Sequence, residues 1–134
     1  MSPWIRAAAT LPSLATAGFI YWLSDGPLPE GTLPSFRFSD KAAHALAYGF
    51  LALTLLPALR IGAGLPRRIT VRRALLLAVM YGAFDEVHQG WVPGREKDIG
   101  NFLADAAGAS VAALAANYYW KKKECHEPLA ATAD

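Results

Sequence analysis

Phe84-Asp85-Glu86-Val87-His88-Gln89-Gly90-Trp91-Val92-Pro93-Gly94-Arg95-Glu96-Lys97-Asp98-Ile99-Gly100-Asn101, running on to Asp105, decides how this chain is read. It gathers ionisable and amide side chains between two long apolar runs, where one helix closes and another opens. Asp85 and Gln89 are four apart and Glu86 and Gln89 three apart, so a helix ending here presents them together. Val92-Pro93-Gly94 predicts a turn, because Pro fixes φ and Gly lets the backbone reverse. Beyond it, Asp98, Asn101 and Asp105 recur at i, i+3 and i+7, a polar stripe on the next helix. Two polar helix ends across a tight turn make half of a site.

The apolar runs on either side set the scale. Ala74 to Phe84 reaches spanning length only if its helix continues through Gln89, and Phe102 to Trp120 is a long run with Asp105 near its start. Upstream, Trp4 to Leu23 is broken only by Arg6, Thr10, Pro12, Ser13 and Thr16, enough to cross roughly 30 Å of hydrocarbon. Tyr21-Trp22 closes it like an interfacial belt. A cleaved signal peptide with Ala15-Thr16-Ala17 as its site competes with this reading. The apolar run continues past that site to Leu23, which favours an uncleaved span. Ser24 to Ser39 reads as a loop rich in Gly and Pro, with Ser39 or Asp40 as N-cap of the next helix. Asp40, Lys41, His44 and Tyr48 then lie a turn apart at one end of a run that lasts to Leu59.

With 134 residues, 54% of them apolar and 18% charged, the chain is a single domain leaning toward a membrane protein. Its mean hydropathy of +0.22 is modest, so the distribution matters more than the average. The one cysteine, Cys125, excludes an intrachain disulfide, and no zinc-finger, CxxC, nucleotide-loop, GxSxG or HExxH pattern is present. The arginines from Arg60 to Arg73 lack interleaved aromatics, so they read as a cytoplasmic loop rather than a nucleic-acid patch. Arg6, those five arginines and Lys121, Lys122 and Lys123 fall on one side, against Arg37, Lys41, Arg95 and Lys97 on the other. The predicted fold is therefore all-α: an integral bundle of four transmembrane helices in the cell (inner) membrane, both termini cytoplasmic. It spans residues 1–123, followed by a short cytoplasmic tail, 124–134, read as disordered. A soluble four-helix bundle would need charged outer faces that Leu46 to Leu59 and Ala104 to Tyr119 lack.

This topology brings the start of span two, the end of span three and the start of span four to one, outer, side. Asp-Lys-x-x-His-x-x-x-Tyr at 40 to 48, Asp-Glu-x-His-Gln at 85 to 89 and Val-Pro-Gly-Arg at 92 to 95 resemble the VanZ-like membrane proteins. So do Asp98, Asn101, Asp105 and Gly108 in their spacing from Arg95. The resemblance covers about residues 39 to 115 and implies a small multi-spanning bacterial envelope protein of a family associated with teicoplanin resistance. The family usually has Asp where this chain has Asn101, which shifts any carboxylate role there to Asp98 or Asp105.

Three functional classes fit these residues. As an enzyme, a membrane-lipid hydrolase or phosphatase-like protein, the chain offers His44, Asp85, Glu86 and Asp105 as candidate catalytic groups. Lys41, Arg95, Gln89 and Asn101 are candidates for holding a phosphate. Asp40, His44, Asp85, Glu86 and Asp98 are candidate ligands for a divalent metal. The partners expected are the bilayer and an envelope lipid or lipid-linked substrate, with no nucleic acid. As a binding, transport or scaffold protein, it would pack or oligomerise through Gly18, Gly82-Ala83 and the Ala-rich fourth span. As a purely structural network, Arg95 would pair with a carboxylate, His44 with Asp85 or Glu86, and Gln89 and Asn101 would bridge helices.

Overall fold

A computed structural model describes residues 1–26 and 38–126. Most of the expected Ser24–Ser39 loop, Arg37 included, lies outside these residues, as does the chain after His126. The described residues form four α-helices and no strand: α1 (Pro3–Ser24), α2 (Ser39–Pro57), α3 (Arg67–Gln89) and α4 (Ile99–His126). Pro3 sits in the first turn of α1, where its missing N–H costs nothing. Pro57 ends α2, and the chain widens into a π-helical turn, Ala58–Gly62, in which Ala63 N–H reaches back to the Ala58 carbonyl.

Four expectations need correction. The arginine segment is mostly helix, not loop. Extended Pro66 (φ −66°, ψ 151°) starts α3 at Arg67, and arginine is a good helix former once the turn is made. The N-cap of α2 is Phe38, without a side-chain cap, because the Asp40 carboxylate turns to the Lys41 ammonium. Asp98 lies just before α4 rather than on its face. Its Oδ1 accepts from Gly100 N–H at 2.7 Å, the bond an N-cap carboxylate makes. Lastly, α4 runs on through Glu124 to His126, held at that end by Glu124 pairing with Arg67 at 3.1 Å.

Helices α2 and α4 run parallel and form the tightest pair. Lys41 meets Asn101, His44 meets Asp105, and Gly49 meets Gly108 along them. A Cβ on Gly108 would overlap the Ala45 carbonyl, so the backbones touch only because that position has no side chain. Helix α3 packs antiparallel to α4, and α1 lies mainly against α2 and the π-helical turn, with Tyr81 Oη of α3 donating to the Ala17 carbonyl at 2.7 Å. The core is thin and rich in alanine: Ile20, Tyr48, Leu51, Ala52, Ala78 and Ala109.

The outer faces are apolar instead. Leu11, Leu14 and Phe19 of α1, Leu46, Phe50 and Leu53 of α2, Leu76, Leu77 and Met80 of α3, and Val111 and Leu114 of α4 are all exposed. Two helices, Ser39–Gly62 and Ile99–Cys125, are long and apolar enough to cross a membrane. Only 33% and 22% of their apolar windows are buried, unlike the core helices of a soluble bundle.

Candidate functional site

The bundle has a basic end and a mixed polar end. Arg6, Arg60, the arginines that open α3 and the lysines that close α4 share the first. At the second, the start of α2, the end of α3, the turn and the start of α4 converge.

The turn comes first, because it sets the spacing. Arg95 N–H bonds the Val92 carbonyl at 3.1 Å and Gly94 has φ +82°, the marks of a type II turn with Pro at its second position. Arg95 leaves the turn toward α1. Its Nη2 donates to the Leu23 carbonyl at 2.6 Å and its Nε to the Gly26 carbonyl at 2.8 Å. A cation thus closes the C-terminus of α1, where carbonyls lack helical partners and the dipole is negative.

Lys41 organises the α2–α4 side. Its Nζ lies 2.6 Å from Asp98 Oδ2, 3.2 Å from Asp40 Oδ2 and 3.3 Å from Asn101 Oδ1, one acceptor for each ammonium proton. The hydrogen bond from Lys41, with help from Gly100 N–H, holds the Asp98 carboxyl below the usual carboxylate range. Asp98 N–H in turn donates to Glu86 Oε2 at 3.0 Å, joining the turn to α3.

Deeper in, His44 Nδ1 is 2.9 Å from Asp105 Oδ1, and Asp105 is fully buried. Gln89 Nε2 bridges helices, reaching Asp85 Oδ2 at 3.2 Å and Ser24 Oγ of α1 at 3.3 Å. Asp85, Glu86, Gln89 and Asn101 are all buried. Beside them opens a cavity of about 320 Å³. Ile20, Leu23, Ala43 and Ala47 form its apolar wall, while His44, Asp85, Gln89, Arg95 and Asn101 supply polar groups.

The structure thus gathers every candidate named from the sequence at one end, in smaller groups. Asp40 and Asp98 belong with Lys41, Asp85 with Gln89, and Arg95 with the α1 carbonyls. His44 pairs with Asp105, not with Asp85 or Glu86. Sequence reasoning gave no role to Ser24, Asp25 or His88. His88 Nε2 lies 3.4 Å from Asp25 Oδ1, and its ring stacks on Tyr21 and Phe84. The signal for His88 was its place one turn after Phe84; nothing in the order of residues points to α1 as its partner.

A family model described as VanZ/LLP1 matches residues 8–120, most of the chain. The chain belongs to the VanZ/LLP1 family. No curated protein matches it, and no solved structure does. The VanZ/LLP1 match extends the similarity over α1 as well as the three motif-bearing helices. Membership, with two helices able to cross a bilayer, points to a membrane-associated envelope protein.

Proposed function

We propose that this VanZ-family protein crosses the cell membrane four times with both termini cytoplasmic, and that its polar end binds the head group of an anionic envelope lipid at the outer surface. The cavity carries this reading: Ile20, Leu23, Ala43 and Ala47 give it an apolar lining, as an acyl or isoprenyl chain requires, and Arg95 stands in its polar lining, beside Asp40, Asp85 and Glu96. Helices α1 and α3 add exposed leucine, methionine and phenylalanine faces that suit lipid contact. Arg6, the α3 arginines and Lys121 to Lys123 at the opposite end fit a cytoplasmic side. Retention of an envelope lipid at this surface would account for the family's association with teicoplanin.

Lipid mass spectrometry on protein purified in mild detergent tests the reading. Wild type is expected to carry about one phosphorylated lipid per chain, and Ala43→Phe, which fills the cavity, to lose it while staying helical and monodisperse. Wild type without such a lipid, or equal retention by Ala43→Phe, would overturn it. The His44–Asp105 contact favours a catalytic version in which Asp105 orients His44 as general base. That version requires phosphate release from the bound lipid, abolished by His44→Ala.

A further inference from the structure

We propose that His44, Glu86 and Asp105 form a binding site for one divalent first-row cation, Mn²⁺ or Zn²⁺. The three residues come from α2, α3 and α4. One donor atom of each lies within 4.8 Å of the other two. Donors at about 2.0–2.2 Å from such an ion are reached from there by inward shifts of under about an ångström each.

Burial and bonding single out this triad among the acidic groups of the polar end. Glu86 is 8% exposed and Asp105 0%. Each spends one carboxylate oxygen, Oε2 on Asp98 N–H and Oδ1 on the His44 ring. The other oxygens, Glu86 Oε1 and Asp105 Oδ2, are buried without a hydrogen-bond partner. A buried anionic oxygen without a partner is costly. The other acids of this end are either exposed, as Glu96 is, or already answered. Asp40 and Asp98 are paired with Lys41, and Asp85 accepts from Gln89.

The nearby cations are likewise committed. Lys41 serves Asp40 and Asp98, His88 faces Asp25, and Arg95 closes α1. Lys97 is exposed, its side chain lying over Gly90. Among the described residues this leaves His44 as the cation-forming group grouped with both Glu86 and Asp105, and one imidazolium cannot balance two carboxylates. A divalent ion does. An imidazole with two carboxylates suits Mn²⁺ or Zn²⁺ better than Ca²⁺ or Mg²⁺, which favour oxygen alone.

His44 also lines the cavity, with its side chain 15% exposed, so an ion there would have an entry path and could face a bound phosphate. The cation site stands independently of the lipid reading. It would also explain how an anionic head group could approach so acidic a wall.

The test uses full-length protein in mild detergent, stripped with chelator and titrated with Mn²⁺ alone, free Mn²⁺ being read by electron paramagnetic resonance. Zn²⁺ loading is read by elemental analysis after desalting. About one ion per chain is expected. The near-isosteric Glu86→Gln and Asp105→Asn should each weaken binding at least tenfold while helicity and elution are unchanged. Asp25→Asn, whose carboxylate faces His88, should bind like wild type. If folded wild type takes up neither ion stoichiometrically, or both amide variants bind as tightly as wild type, the assignment fails. Because no lipid is added, a lost lipid signal and a lost metal signal are separable results.

Discussion

Lys41 and Asp98 show how one contact can serve two helices. The Asp98 carboxylate caps α4 through Oδ1 and receives the Lys41 ammonium of α2 on Oδ2. Asparagine retains the capping oxygen and removes the charge, so Asp98→Asn isolates the ion pair. The folded-state pKa of Asp98 is depressed. Its contribution to stability is therefore complete above the unfolded value of 3.8 and disappears as pH falls through the lower folded value. Thermal melts of wild type and Asp98→Asn should differ by a constant amount from about pH 5 to pH 7, above the unfolded value near 3.9, and converge as the pH falls through the depressed folded value. A difference that persisted in acid would mean that the cap or local packing, not the ion pair, sets the effect. Asp98 is partly exposed at its side chain, so the effect should also shrink in high salt.

At the scale of elements, the bundle depends on how closely α2 and α4 approach. Lipid tails are as apolar as leucine, so helices in a bilayer associate through close packing and polar contacts worth about 0.6–2 kcal/mol each. Gly108 against the Ala45 carbonyl and Gly49 against Gly108 provide that approach. The same approach brings His44 into reach of Asp105 a turn away. Gly108→Ala should destabilise the protein by about 1–3 kcal/mol, the usual cost of overpacking, measured as a lower melting temperature in detergent. Gly18→Ala is the comparison, since nothing lies within 4 Å of a Cβ there. Equal melting of the two variants would show that the α2–α4 approach has slack. Helix α1 is attached differently, by hydrogen bonds from Tyr81, Gln89 and Arg95 near its C-terminus. The turn that exposes Arg95 is therefore a clasp on α1 as well as a wall of the cavity.

For the whole molecule, orientation in the bilayer is the property on which the proposed function turns. Cys125 is the single cysteine of the chain; it is exposed and lies at the basic end. With cytoplasmic termini, a membrane-impermeant maleimide should leave Cys125 unlabelled in intact spheroplasts and label it after lysis. In a Cys125→Ser background, Trp91→Cys, at an exposed position of the polar end, should label in intact spheroplasts. The opposite pattern would put the cavity in the cytoplasm and remove outer-surface lipids from consideration.

Much of this organisation was legible in the residues themselves. Helical runs are recorded locally, so the four apolar segments predict four helices, and Val92-Pro93-Gly94-Arg95 predicts its turn from the φ preferences of Pro and Gly. Where a local rule met a competing partner, it misled. Ser39 and Asp40 look like caps until Lys41 draws the carboxylate away, and the arginines after Pro66 look like a loop until the helix they start is seen. The polar end was legible as a convergence because alternation of up and down helices follows from their number and charge bias.

The sequence alone determined the helix count, the separation of basic and mixed ends, and the set of side chains meeting at the latter. Which of them touch was decided only by the tertiary structure. Pairing depends on helix rotation and register, and these are set by small-residue backbone contacts such as Gly108 on Ala45, beside His44 on one helix and a turn from Asp105 on the other. That packing places His44 on Asp105 and turns Arg95 onto α1. It also leaves Glu86 and Asp105 each with a buried oxygen and no partner, because a register chosen by backbone contact is indifferent to whether every carboxylate is satisfied.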